Sequence, residues 1–244
     1  MSVVGLIPSR LGSTRLPAKA LLIIDGLPLV IHTMKRAQLA KSLDDVYVCT
    51  DSEKIAEEVI KHGGKPIMTR TDHRNGTERI AEAAEKISAD FFIDIQGDEP
   101  LLNPDHIDHV VDEHQKHLEW DILLPTLPID KPETRHICKV IHDANYRILY
   151  LSRAVIPQPF KERPDFYLKH LSIISFKAES LRLYSKLKPS NLEKVEGIEL
   201  LRALENKMII GTVLLEGDSF SVDIKQDFDK AIEHMAIDKI RKLY

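Results

Sequence analysis

The 244-residue chain has little cysteine, no long apolar run, no large excess of charge of one sign and no internal repeat. Each absence excludes something. Its two cysteines, Cys49 and Cys138, are far apart and neither has a second cysteine beside it, so neither a disulfide framework nor a cysteine zinc site is legible. Both lie in apolar runs, and buried free thiols are expected. No apolar stretch reaches the ~20 residues a membrane-spanning helix needs. A net charge of −4 gives no general attraction for nucleic acid or a membrane surface, and neither is expected as a partner. The start, MSVVGLIPSR, lacks the charged flank of a secretory signal, so the expected location is cytoplasmic. With 43% hydrophobic and 30% charged residues, what is there suits a globular chain with a large core.

The first half alternates strand and helix patterns. An apolar run at 3–7 reads as a buried strand that breaks at Pro8. Helical spacing follows at 28–39, a strand at 46–50, and a helix at 53–62 capped by Asp51-Ser52 and stopped by Gly63-Gly64. A short strand at 66–68, an amphipathic helix at 77–87, a strand at 91–95 and a helix through 105–115 opened by Asn103-Pro104 complete the alternation. Such β–α alternation predicts an α/β fold with a parallel sheet, helices on both faces and ligands beyond the carboxyl ends of the strands. After Trp120 the pattern changes. Strand-like runs at 122–127, 138–142, 148–151 and 170–176, with breaks at Pro157, Pro159 and Pro164, predict an antiparallel insertion. Helices at 181–187 and 196–205, strands at 213–215 and 220–222, and a long helix at 227–243 are expected to close the chain.

Residues 3–21 hold the most suggestive chemistry. Arg10, Arg15 and Lys19 follow the first strand, with Gly12, Ser13 and Thr14 between the first two cations. Small side chains let backbone N–H groups approach an anion that the cations neutralise, which suits a polyphosphate; a solvated basic loop is the plain alternative. Asp98, in Gln96-Gly97-Asp98-Glu99-Pro100, follows an apolar strand and can offer Mg²⁺ a hard oxygen, or serve a turn. Asp223 also follows a strand pattern and is either a second metal ligand or a helix cap. The polar run at 72–79 opens a helix; it can read a base or ribose, with Arg79 pairing a carboxylate, or simply cap that helix. His106, His109, His114 and His117 read as a solvated helix face rather than a metal site.

In order along the chain stand IPSRLGSTRLPAKAL, Cys49-Thr50-Asp51, IMTRTDHRNGTER, IQGDEP, ILYLSRAVIP, YLKHLSI and SVD. This series resembles the cytidylyltransferases that activate 3-deoxy-manno-octulosonate (Kdo), over nearly the whole chain. The resemblance implies a Rossmann-like, mostly parallel sheet flanked by helices, of the nucleotide-diphospho-sugar transferase type. Residues 1–244 would form one nucleotidyltransferase domain, with 121–176 an inserted sugar-binding and dimerisation region in a homodimer. The implied reaction joins CTP to a 3-deoxy-2-keto sugar acid, with Mg²⁺, giving a CMP-sugar for lipopolysaccharide and pyrophosphate. Pro8, Arg10, Gly12, Ser13, Arg15, Lys19, Arg70, Asn75, Gly76, Thr77 and Gln96 would bind the nucleotide. Arg10, Lys19 and Asp98 would be catalytic, Asp98 and Asp223 would hold Mg²⁺, and Arg153, His170 and Glu196 would face the sugar.

The departures from that family cluster. Where it has HIGIYAY, this chain has His170-Leu171-Ser172-Ile173-Ile174-Ser175-Phe176; where it has ESLEQLR, this chain has Glu196-Gly197-Ile198-Glu199-Leu200-Leu201-Arg202. Ile174 and Leu200 replace hydrogen-bonding groups, and sites built to bond a hydroxyl discriminate strongly. An altered sugar is therefore expected, the 8-amino-8-deoxy analogue of Kdo being one candidate. The alternatives are activation of another 2-keto sugar acid, such as a nonulosonate, and a nucleotide-binding domain without turnover. Retention of Asp98 and Asp223 speaks against the latter.

Overall fold

The apolar runs of the first half become buried parallel strands. A computed structural model describes residues 1–13, 15–134 and 136–244, so Thr14 lies outside the described residues. The chain divides into two units, Met1–His109 with Ser219–Tyr244, and Val110–Asp218.

Unit 1 carries β1 (Val3–Ser9), β2 (Ile23–Ile24), β3 (Leu27–Pro28), α1 (Leu29–Ala37), β4 (Asp45–Thr50), α2 (Glu53–Lys61), β5 (Lys65–Met68), α3 (Gly76–Ala84) and β6 (Phe91–Ile95). α4 (Pro104–Lys116) contains the boundary between the units. β6, β1, β4 and β5 lie side by side in that order, all parallel. Every residue of β1 and β6 is buried, the pattern of strands covered on both faces. Helix limits follow local chemistry: the Ser52 side chain caps α2, Asn75 caps α3, and Gly63 at φ +76° ends the α2 segment.

Pro8 does not break β1, contrary to expectation. It pairs with Cys49 on β4, whereas pairing with β6 extends only to Leu6↔Asp94. The strand thus has one neighbour at Pro8, a setting that tolerates proline.

Unit 2 carries β7 (Ile122–Leu123), β8 (Thr126–Ile129), β9 (Lys139–His142), β10 (Ile148–Ser152), β11 (Tyr167–His170), β12 (Ile173–Lys177), α5 (Ala178–Lys186), α6 (Asn191–Glu196), α7 (Leu201–Glu205) and β13 (Ile210–Gly211). An antiparallel sheet runs β10-β9-β11-β8, and β7 pairs separately with β12 and β13. The run at 122–127 therefore splits: β7 and β8 take different partners either side of Leu124-Pro125, where proline offers no N–H. The run at 170–176 splits likewise at Leu171-Ser172. The helix expected at 196–205 is two, because Gly197 at φ +63° ends α6 and α7 starts at Leu201. Residues 213–215 make only an isolated bridge, Leu214 to Thr126, and 220–222 form no strand.

α8 (Lys225–Ile237) returns the chain to unit 1 and is shorter than expected. Asp238 stops it: its carboxylate accepts from the Ile240 amide at 2.6 Å and pairs with the buried Arg36, and a 3-10 turn follows at Ile240–Leu243. A buried cluster of Leu16, Ile24, Leu29, Val222, Ala231 and Met235 ties α1, α8 and the loop after β1 into one body. Both cysteines are buried and free. His106 and His114 are also buried, which corrects the solvated reading of that helix face. His114 contacts the Ser175 hydroxyl at 2.7 Å and the Trp120 carbonyl at 3.2 Å.

Candidate active site

The carboxyl ends of β1 and β6 and the start of α3 enclose a cleft of about 290 Å³ in unit 1. Two glycines make the enclosure possible. A Cβ on Gly97 would lie 2.7 Å from the Pro8 carbonyl oxygen, and one on Gly76 would lie 3.0 Å from Pro8 Cγ. At the cleft, Gly97 thus packs against the Pro8 backbone and Gly76 against the Pro8 ring. Gly12 differs: a Cβ there would meet nothing within 4 Å, so the space beside that stretch is open.

Four permanent cations, Arg10, Arg15, Lys19 and Arg79, line the cleft with two carboxylates, Asp98 and Asp223. Lys19 sits at the centre of the charges. Its Nζ donates to Asp98 Oδ2 at 2.7 Å and to the Val222 carbonyl at 2.7 Å, and lies 3.5 Å from Asp223 Oδ1. Arg15 donates to the same Asp223 oxygen at 2.9 Å. The Val222 amide bonds to the Asp98 carbonyl at 2.9 Å, holding the two acidic segments together. Asp98 and Asp223, 125 positions apart, are therefore neighbours in space. Arg10 is exposed and unpaired among the described residues.

The α3 side of the cleft presents Asn75, Gly76 and Gln96. Asn75 Oδ1 accepts from the Glu78 amide at 2.9 Å, so this residue caps α3 while also lining the cleft. The N-terminus of α3 adds partial positive charge near the cleft. Gln96 Nε2 donates to Asp94 Oδ1 at 2.9 Å, and the buried Thr77 hydroxyl reaches Asp94 Oδ2 at 3.3 Å. Thr77 thus stands behind the cleft wall. Arg70 is also absent from the lining; it is exposed, with Nε 3.4 Å from Asp72 and 3.6 Å from Glu82.

Ser9, His73, Arg79 and Gly97 line the cleft without having been assigned to it from the sequence. Arg79 is buried and pairs with Asp51 at 2.9 Å while donating to Thr69 Oγ1 at 2.6 Å, which braces the ends of β4 and β5. His73 meets Glu82 at 2.5 Å. Burial raises the Glu82 carboxyl, but the hydrogen bonds from His73 and the Arg70 amide outweigh it and hold it below the usual range. The signal for His73 and Arg79 was their place in the polar 72–79 run; Ser9 had none, lying beyond the expected end of its strand.

The residues expected to face the sugar lie in unit 2. Glu196 accepts from Ser152 Oγ at 2.7 Å and from the Arg153 amide at 3.0 Å. The Arg153 guanidinium donates to the carbonyls of Glu196 at 2.8 Å, His136 at 2.9 Å and Gly197 at 3.1 Å. His170, at the end of β11, has its pKa lowered by burial, and its Nδ1 has no hydrogen-bond partner among the described residues. Ile174 and Leu200 are 5% and 3% exposed, so both belong to the apolar interior of unit 2.

Residues 4–210 match the family model described as Cytidylyltransferase. A 3-deoxy-manno-octulosonate cytidylyltransferase of Chlorobium limicola is 40% identical, over 94% of this chain and 95% of that protein. An 8-amino-3,8-dideoxy-manno-octulosonate cytidylyltransferase of Shewanella sp. (strain ANA-3) is 36% identical, over 98% of this chain and all of its own length (100%). Among solved structures, a CMP:2-keto-3-deoxy-manno-octonic acid synthetase complexed with CTP superposes with a TM-score of 0.93 at 33% identity, covering 97% of this chain and 99% of that one.

Proposed function

The chain belongs to the cytidylyltransferase family, and from that premise we propose that it transfers CMP from CTP to a 3-deoxy-2-keto octulosonate, releasing pyrophosphate. One observation carries the reading: Lys19, Asp98 and Asp223 converge in a cleft that also holds Arg10 and Arg15. Transfer to phosphorus needs positioning and charge neutralisation rather than a covalent protein nucleophile. Arg10 and Lys19 bind the triphosphate, amides near Gly12 and Ser13 meet its oxygens, and Arg15 steadies the loop through Asp223. Asn75, Gly76 and Gln96 form the nucleoside side, with Thr77 and Arg79 supporting them from within.

The site residues fit Mg²⁺. Oxygens of Asp98 and Asp223 already converge on a single cation, Lys19 Nζ, at 2.7 and 3.5 Å. Mg²⁺ is held by one or two carboxylates completed by phosphate oxygens, a donor set the two aspartates and a triphosphate supply. When bound, it would neutralise and orient phosphate oxygens. In unit 2, Arg153 and His170 offer the cation and the imidazole that a sugar carboxylate and hydroxyls need, and Glu196 holds Arg153 in place. A homodimer working in the cytoplasm is part of the proposal. Support for the dimer is apolar exposure in unit 2, with Phe160 95%, Leu149 59% and Phe166 44% exposed. A monomeric mass by light scattering would remove it. No helix among the described residues is long and apolar enough to cross a membrane.

Pyrophosphate release with CTP, Mg²⁺ and either Kdo or its 8-amino analogue tests the activity and the sugar together. The second sugar is retained because the Shewanella relative bears its name. A clear preference for ordinary Kdo rejects the 8-amino reading, and no release with either sugar rejects the octulosonate assignment. Asp98→Asn and Asp223→Asn should each abolish release; near-normal turnover in either removes that residue from the metal role.

A further inference from the structure

We propose that the Lys19 ammonium occupies the Asp98–Asp223 pair in the nucleotide-free protein, so that a divalent cation binds there only when a triphosphate draws Lys19 away. The inference rests on the functional reading above and adds to it an order of assembly. An ammonium has three donors, and Lys19 directs two of them at 2.7 Å into Asp98 and the Val222 carbonyl, with Asp223 at 3.5 Å. The lysine side chain is 16% exposed and Asp98 29%, so the pair is sheltered from solvent screening. Arg15 takes Asp223 at 2.9 Å. Both carboxylates are thus already neutralised by cations of the same loop.

A divalent ion entering this arrangement would share oxygens with an ammonium and face its charge at close range. Two carboxylates balanced by Lys19 and Arg15 present no net negative charge to attract it. A triphosphate alters the balance. It carries several negative charges, enters a cleft in which Arg10 is already unpaired among the described residues, and gives Lys19 an alternative acceptor. The flexible lysine stem can turn from carboxylate to phosphate without moving the backbone. Metal and nucleotide then bind with positive coupling, and the coupling is reciprocal by linkage. The protein avoids loading metal without its nucleotide.

A different role for Lys19 is as a tether, fastening the loop after β1 to the Val222–Asp223 segment. The two roles predict opposite effects of removing the charge. Mn²⁺ binding to the full chain without nucleotide, read by loss of the free-ion electron paramagnetic resonance signal, separates them. Lys19→Met should bind Mn²⁺ more tightly than wild type by about tenfold or more, a coupling of ordinary size between sites. Lys19→Arg, which keeps the charge, should remain as weak as wild type. The gain should vanish in Lys19→Met combined with Asp98→Asn. Unchanged or weaker Mn²⁺ binding in Lys19→Met overturns the proposal, as does a gain that survives the loss of Asp98. Turnover of Asp98→Asn, measured separately, reports on the metal role of the aspartate, so the two failures are distinguishable.

Discussion

Replacing Gly97 with alanine should disturb both stability and turnover, for a reason measurable in ångströms. The added Cβ would lie 2.7 Å from the Pro8 carbonyl oxygen and 3.3 Å from Ile7 Cγ2, where real Cβ contacts below 3.0 Å essentially never occur. The offending atom is backbone in a buried strand paired with β4, so it cannot swing aside. Overpacking of this kind costs ~1–3 kcal/mol, offset in part by the ~0.4–1 kcal/mol that alanine gains by restricting the unfolded chain. A net loss of about 1–2 kcal/mol is expected. Because Asp98 is the next residue, a displacement of a few tenths of an ångström reaches the carboxylate itself. Misplacement by ~1 Å can cost ~10²-fold, so a several-fold fall in kcat is the expected scale. Gly12→Ala is the matched control for stability alone, since its Cβ meets nothing within 4 Å while its amide lies in the phosphate loop. Urea unfolding of both variants beside wild type, with pyrophosphate release, is the assay. A Gly97→Ala protein as stable and active as wild type would refute the close-approach reasoning.

Two further predictions concern groups outside the phosphate loop. Burial pulls the His114 imidazole down to about 4 from 6.5, against the Trp120 carbonyl bond, which works the other way. Between those values the unfolded chain binds a proton that the folded chain does not, so stability falls as pH falls through this window, by ~3 kcal/mol in all. His114→Gln should flatten that part of a stability–pH curve from urea melts; parallel curves would show that His114 does not titrate this way. Arg79→Met should cost about 3 kcal/mol, because it strands Asp51 beside a buried site, and Asp51→Asn in the same chain should recover part of it. Equal melts for Arg79→Met and wild type would mean that the pair contributes nothing.

Much of the first half was legible because its rules are local. Continuous apolar runs mark strands covered on both faces, and Ser52, Asn75 and Gly63 mark helix limits through side-chain caps and a left-handed backbone. Errors concentrate where the governing contact is distant. The apolar runs at 122–127 and 170–176 read as single strands, yet each divides between two sets of partners. Residues 220–222 have the composition of a strand, but among the described residues their backbone is tied by a single amide hydrogen bond, from Val222 to Asp98, and not by a neighbouring strand. α8 ends at Asp238 because that carboxylate serves Ile240 and a buried Arg36. Periodicity does not report any of these partners.

The candidate site divides the same way. The sequence by itself determined the chemistry on offer: three cations and small residues after a first strand, and carboxylates at later strand-like ends. Only the tertiary structure decided which of these meet. It brings Asp223 beside Asp98, sets Lys19 between them, moves Arg70 and Thr77 out of the lining, and places His73, Arg79 and Gly97 within it. The physical reason is range: residue type fixes charge and hydrogen-bonding capacity, and near neighbours fix backbone conformation. Proximity across more than a hundred positions is set by which strands pair and which cores close.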